Sequence, residues 1–223
     1  MKISKSSSIY TILKQWLFYI CYFIFSITLA FKVIINLTPF YKLLMNIYNI
    51  PSQVSMNAQN IYSDFTELMK YLRSYKLLDF PLKYFKYSPE GKFHFDEVRV
   101  LFLKMDILFW ISLIVLIIFM YFYRKNIKGL FSRYIKFLIT LLILCGFIAM
   151  PIIINFSWSF EKFHKIFFNN NDWLFDPVTD PIINALPEEV FSSYLIAIVA
   201  IFFILLLIPQ LIKHFSSKNK SLS

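Results

Sequence analysis

Three histidines are the side chains of this 223-residue chain whose ordinary pKa lies near neutral pH. His94 and His164 each stand at the edge of a long apolar run, whereas His214 follows the last such run beside Lys213 and several serines. His214 reads as solvated or headgroup-facing. Two imidazoles at one water–lipid boundary have the chemistry of a general base and a general acid, and such a pair implies a bell-shaped pH profile. Taken singly, each is more often an interfacial or packing residue. A metal is the competing use: His94 and Glu97 are spaced i, i+3 and could join His164 and one of Asp172, Asp176 or Asp180 around an ion. No HExxH motif or tight ligand cluster supports that reading. Ser88, Ser157 and Ser159 are available on the same side, but none lies in a G-x-S-x-G elbow. Cys21 and Cys145 sit inside apolar runs and read as packing residues, so no disulfide or thiol nucleophile is expected outside them. Gly91, Gly129 and Gly146 are too far apart to build a phosphate-binding loop.

The elements that must position these residues are written in the apolar pattern. The chain is 58% hydrophobic, 20% aromatic and only 16% charged, with mean hydropathy +0.61, whereas a soluble domain carries nearer a quarter charged residues. Four stretches, at about 15–37, 105–123, 137–158 and 190–212, are long enough to cross a hydrocarbon core of roughly 30 Å. The expected fold is therefore a membrane all-α protein, a single membrane domain over 1–223. Its first run also resembles a signal peptide, with Thr28-Leu29-Ala30 as a passable cleavage site, but Val33-Ile34-Ile35 continue it to spanning length. With the second run taken from Ile107, Lys32 is the one charge inside the spans, which argues against a transport pathway.

The charges give an orientation. The chain's net charge is +10. The N-terminus, the 124–136 loop and the tail together hold 11 basic residues and no acid, while all 13 acidic residues fall in the two other segments, seven between Asp64 and Asp106 and six between Glu161 and Glu189. By the positive-inside rule both termini and the 124–136 loop are cytoplasmic, and the two acid-bearing loops, about 38–104 and 159–189, form a small, mainly helical extracytoplasmic domain. His94 and His164 then share one side. Basic residues crowded against an anionic leaflet account for the charge, so no nucleic-acid partner is implied.

Within the outer loops, Val54, Ala58, Ile61, Phe65, Leu68, Leu72 and Tyr75 recur at helical spacing and predict one amphipathic helix from Val54 to Tyr75. Ser88-Pro89-Glu90-Gly91 reads as a tight turn before the second span. Phe160, Phe163/His164 and Phe167/Phe168 mark one helical face. The polar run Asn169 to Asp172, Asp176-Pro177 and Asp180-Pro181 follows, and Leu186-Pro187-Glu188-Glu189 starts the last helix.

Two blocks carry a family resemblance. Ser88-Pro89-Glu90-Gly91-Lys92-Phe93-His94-Phe95-Asp96-Glu97-Val98-Arg99 resembles a small residue and glycine followed by H-[FM]-x-[DE]-V-[KR]. Phe163-His164-Lys165-Ile166-Phe167-Phe168 with Trp173, Asp176-Pro177, Asp180 and Leu186-Pro187-Glu188 resembles F-H-x-x-F-F…W…D-P…D…L-P-E. With four spans in this order, the chain is similar to the bacterial lipoprotein intramolecular transacylases (Lit), integral proteins of the bacterial cell membrane; Arg99 stands where lysine is commoner, with the charge kept. The resemblance implies transfer of the sn-2 acyl chain of a diacylglyceryl-cysteine lipoprotein to that cysteine's α-amino group, giving the lyso form without a cofactor or metal. It carries the two essential histidines onto His94 and His164. Glu97, Arg99, Trp173, Asp176 and Asp180 are the expected orienting or substrate-binding residues: an aspartate to fix an imidazole tautomer, Arg99 to steady an oxyanion or headgroup. Membrane lipid and diacylated lipoproteins are the expected partners, and the sequence does not give an oligomeric state. The non-enzymatic alternative is a small membrane scaffold or transport accessory protein.

Overall fold

The computed structural model describes residues 3–218, and the tail beyond, with Lys220, lies outside the described residues, as does Lys2. Among the described residues every regular element is helical: α1 (Ile3–Asn36), α2 (Thr38–Ile47), α3 (Ile50–Val54), α4 (Ala58–Leu72), α5 (Pro89–Tyr123), α6 (Ile127–Leu130), α7 (Tyr134–Ile154), α8 (Phe156–Phe167), a 3-10 turn at Pro181–Ala185 and α9 (Glu188–Lys218). Four are long and apolar enough to cross a membrane: Ile9–Asn36 of α1, all of α5, all of α7 and Glu188–Leu211 of α9. Ile114, Ile117, Ile118 and Phe122 of α5, with Ile139, Ile143 and Phe147 of α7, stand exposed. On helices of spanning length, such a surface suits contact with lipid. The fold is a multi-pass helical membrane protein.

The described chain forms two compact units, one of residues 3–30, 107–150 and 199–218, the other of 31–106 and 151–198. The first holds the most apolar stretches. Its interior is aromatic: Phe18 packs on Phe119, Phe25 on Phe109, Tyr19 on Tyr134 and Phe23 on Phe202, with ring centroids 5.3 to 5.7 Å apart. The basic 124–136 connection is tied back to α1 by polar groups that would otherwise be stranded. Gln15 Nε2 donates to the Gly129 carbonyl at 2.6 Å, Arg133 donates to Gln15 Oε1 at 2.8 Å, and the Tyr19 hydroxyl donates to the Leu130 carbonyl at 2.7 Å.

The second unit has its own core. Tyr41, Leu44 and Met45 of α2, Ile50 of α3, Ile61, Phe65, Leu68 and Leu72 of α4, Phe95 of α5, and Ile182, Leu186 and Val190 pack together. Tyr41 stacks on Phe65 at 3.7 Å and donates its hydroxyl to the Ala185 carbonyl. The amphipathic helix expected from Val54 to Tyr75 is two helices. Ser55 adopts φ 53°, left-handed backbone that ends α3, and Asn57 opens α4 by accepting the Gln59 N–H at 2.7 Å. Arg73 closes α4, so Tyr75 lies beyond it. Likewise the third apolar stretch, expected to run to 158, stops at Ile154. Asn155 takes up extended backbone and its side chain accepts the Trp158 N–H at 2.9 Å, so the chain restarts as α8. Lys32 does not stand alone in α1: its ammonium pairs with Asp106, whose other oxygen accepts the Tyr75 hydroxyl at 2.9 Å.

Asp64 lies on the buried side of α4, 1% exposed. Its carboxylate accepts the backbone N–H groups of Lys83, Tyr84 and Phe85 at 2.8 to 3.2 Å, which turns the chain between α4 and α5. Asp64→Ala removes the acceptor of three backbone donors, one of them on buried Phe85, at about 1–3 kcal/mol. The expected result is a clear fall in the midpoint of thermal unfolding in detergent, with Asp64→Asn, which keeps one acceptor oxygen, falling less. Equal midpoints for Asp64→Ala and the unchanged protein would contradict this anchoring role.

Candidate active site

The segment expected as a tight turn is the start of α5. Ser88 sits just ahead of it, with its hydroxyl oxygen accepting the Gly91 N–H at 2.9 Å, and Pro89 occupies the first helical position. Asp180 completes this start from the far loop: one carboxylate oxygen accepts the Ser88 N–H at 2.8 Å, and the other accepts the Thr179 hydroxyl at 2.8 Å. The carboxylate comes so close that a Cβ on residue 91 would stand 2.1 Å from Asp180 Oδ1. Glycine is required here by close approach rather than by backbone conformation.

His94 therefore rides on a helix whose first turn is fixed. α5 has 35 residues, about 52 Å at 1.5 Å per residue, far more than a bilayer core requires. Its first part, carrying His94, precedes the apolar run that begins at Ile107. α8 presents His164 on the face it shares with Phe160, one turn earlier, with the two rings 4.3 Å apart. Phe168 at the end of α8 is buried with them, while Phe163 and Phe167 are half-exposed, so the expected five-residue face is narrower than its pattern.

The two imidazoles meet. Their ring centroids are 5.7 Å apart and both residues are buried. Phe168 packs edge-on against His94 at 4.8 Å and Phe175 at 5.5 Å; Trp173 stacks on His164 at 4.9 Å. In this dry setting the charged form of each ring is disfavoured. Burial, helped by the neighbouring His164, pushes the pKa of His94 down to about 4. Burial also lowers that of His164, opposed by the Phe160 carbonyl. That carbonyl lies 2.7 Å from His164 Nδ1 and can only accept, so Nδ1 carries the proton and Nε2 presents a bare lone pair. On the other ring, Nδ1 of His94 is buried without a hydrogen bond, 3.9 Å from Glu97 Oε2, which is equally unpartnered.

The expected orienting residues divide. Glu97 and Trp173 stand at the histidines. Asp180 and Asp176 do not touch an imidazole: the first caps α5, and the second accepts the Val178 N–H at 2.8 Å. Arg99 projects elsewhere on α5, where its guanidinium donates to the Ser74 and Lys76 carbonyls and lies 5.0 Å over the Tyr71 ring. It fastens the segment that follows α4. Two of the three aspartates that a metal reading would draw on, Asp176 and Asp180, thus have their carboxylates engaged by backbone N–H groups, and among the described residues no three His, Cys, Asp or Glu side chains are grouped to hold an ion. One contributor escaped the sequence reading. Asn170, in the polar run after α8, donates to Glu97 Oε1 at 3.0 Å and offers its carbonyl to the Trp173 indole N–H at 3.0 Å.

Trp173 and Phe160 also wall an open groove of about 790 Å³, lined further by Trp158, Phe175, Leu186 and Phe191, with Glu161, Lys165 and Glu188 among its polar residues. Two neutral imidazoles, a carboxylate behind one of them and an adjoining apolar groove can bind an acyl chain, accept a proton and hold water away from the reacting bond.

The family profile described as lipoprotein intramolecular transacylase Lit matches residues 16–191. A comparison with curated proteins gives no match. Among solved structures, the chain is similar to the membrane integral lipoprotein intramolecular transacylase Lit from Bacillus cereus, with 25% identity over 97% of this chain and 100% of that one, at a TM-score of 0.83. Two forms of the same protein with one histidine replaced are alike as well. The histidine-to-arginine form has 25% identity over 97% and 96% of the two chains at 0.82, and the histidine-to-alanine form 25% over 100% of both at 0.84.

Proposed function

Because this chain belongs to the lipoprotein intramolecular transacylase (Lit) family, and is thus a membrane acyltransferase acting on lipoproteins, we propose that His94 and His164 carry an O-to-N acyl shift within a diacylglyceryl-cysteine. The α-amine attacks the carbonyl carbon of the sn-2 ester, a C–N bond forms, and the C–O bond to glycerol then breaks. The proton lost by nitrogen is the one gained by the glycerol oxygen, so the reaction needs no outside donor. His164, with its Nδ1–H committed to Phe160, accepts one amine N–H at Nε2 and aims the nitrogen. His94 takes the other proton, with the carboxylate of Glu97 facing the imidazolium that results. A ring whose pKa is held near 4 gives that proton up readily to the departing alkoxide.

Holding amine and ester in one pose supplies several kcal/mol of the barrier reduction. The ring of Phe168, Phe175, Trp173 and Phe160 keeps out the water that would hydrolyse the ester. The acid-bearing loops and both histidines face the cell exterior, with the termini and the 124–136 loop inside, on the charge distribution already given.

The observation that carries this reading is the 5.7 Å meeting of two buried imidazoles from distant parts of the chain. Purified protein given a synthetic diacylated lipopeptide is expected to yield the N-acyl, lyso product, and to leave free phospholipid unhydrolysed. Fatty acid released from phospholipid, with no lyso lipopeptide formed, would reassign the site to a lipid hydrolase.

The pH profile follows from the lowered pKa values. An ordinary imidazole begins to protonate below about 6.5, while the substrate amine, of pKa about 8, must be neutral to attack. Burial holds His94 neutral down to about pH 4 and shifts His164 below its ordinary range, so the acid limb of the bell implied by an unperturbed pair is displaced downward. Log kcat/KM should instead rise with unit slope from about pH 6 to 7.5, as the amine alone loses its proton, and then level off. A slope approaching two below pH 6.5 would show that an imidazole titrates normally there.

A further inference from the structure

Asn170 is fixed more tightly than a loop amide needs to be. Its Oδ1 accepts the Asp172 N–H at 3.0 Å, which leaves Nδ2 as the end that faces Glu97. An amide NH₂ only donates. Glu97 Oε1 must therefore accept, and any proton that Glu97 holds is confined to Oε2. That is the oxygen 3.9 Å from His94 Nδ1, and both atoms are buried and otherwise unpartnered. The same residue, through its backbone carbonyl, holds the indole N–H of Trp173, the ring stacked on His164.

We propose that Asn170 is a positioning residue for both histidines at once: its amide assigns the proton-accepting oxygen of Glu97 to His94, and its carbonyl sets the Trp173 wall against His164. The proposal rests on the transacylase reading above. Its chemistry is that of a proton relay backed by a carboxylate, in which the backing group works only if it stays ionised and points one oxygen at the imidazole. The titratable groups facing Glu97 and its partner ring are His94 on the same helix and His164 from α8. The ion pairs among the described residues give Glu97 no lysine or arginine.

Exchanging the polarity of the hydrogen bond separates this role from simple bracing. In Asn170→Asp two carboxylates compete for one proton, so Glu97 no longer serves His94 reliably. Activity on a diacylated lipopeptide should fall about tenfold to a hundredfold, and the ratio of variant to unchanged enzyme should rise as the pH falls from 8 to 6, when a shared proton re-forms the bond. The double variant Asn170→Asp with Glu97→Gln restores a neutral donor–acceptor pair of reversed direction. Its thermal midpoint should return toward that of the unchanged protein, while its activity stays as low as that of Glu97→Gln alone. Recovery of activity in the double variant, or a pH-independent ratio in Asn170→Asp, would overturn the proposal. Failure of the unchanged enzyme to form any lyso product would instead sink the transacylase reading, so the two failures are distinguishable.

Discussion

His94→Ala and His164→Ala should each reduce formation of the lyso lipoprotein by about two to four orders of magnitude, the usual contribution of a positioned acid–base group. Neither loss should come from unfolding. Both rings are held neutral, so removing one takes no charge out of the site, and His94→Ala also removes a buried nitrogen that has no hydrogen bond. The expected cost is a cavity in a shell of aromatic rings, while the apolar helices that insert the chain are untouched. Mass spectrometry of lipoprotein N-termini from cells expressing each variant measures the product, and the amount of protein in the membrane fraction measures insertion. A variant that inserts normally and still makes the full lyso signal would remove that histidine from the mechanism.

Gly91→Ala is the second large effect expected, and it acts at a distance of one helical turn from the chemistry. The added methyl would meet Asp180 Oδ1 at 2.1 Å, and that carboxylate cannot give way without releasing the Ser88 N–H. Either the carboxylate leaves or the start of α5 shifts, and a shift there carries His94 with it. Overpacking of this kind costs about 1–3 kcal/mol, and a misplacement near 1 Å at the imidazole costs about a hundredfold in rate. The clash hypothesis makes a sharper statement about a pair of variants. Once Asp180→Ala has emptied the space, adding Gly91→Ala should cost almost nothing more in stability, whereas independent effects would simply add. Additive losses would show that Gly91 matters for another reason.

Much of this architecture is legible in the residues because hydropathy and charge report it directly. Runs nearly free of charge must be spans, and the two histidines lie where those runs meet polar sequence. What the sequence conceals is non-local. The break at Ser55 depends on left-handed backbone that a serine adopts without advertising it, so Val54 to Tyr75 reads as one helix. Asp64 looks like a surface acid on an amphipathic helix, because its three donors arrive from beyond Leu82. Arg99 reads as an anion binder for a similar reason: its partners are the carbonyls of Ser74 and Lys76, and a carbonyl acceptor leaves no mark in a side-chain pattern. Asn170 hides in a run of three asparagines, and only geometry shows that one of them reaches Glu97. The meeting of His94 and His164 was visible through the two family blocks and not through spacing, since some seventy residues and two spans separate them.

That separation has a consequence for biosynthesis. One imidazole leaves the ribosome ahead of α5's apolar run and the other only after α7, so a partly synthesised chain holds a single histidine with no opposing ring. An acyl-transferring centre released early, among abundant glycerolipid esters and open to water, would degrade them. On the proposed two-histidine mechanism, competence arrives only once synthesis has passed α8 and the two rings have met, which ties the birth of the reaction to the later part of the chain.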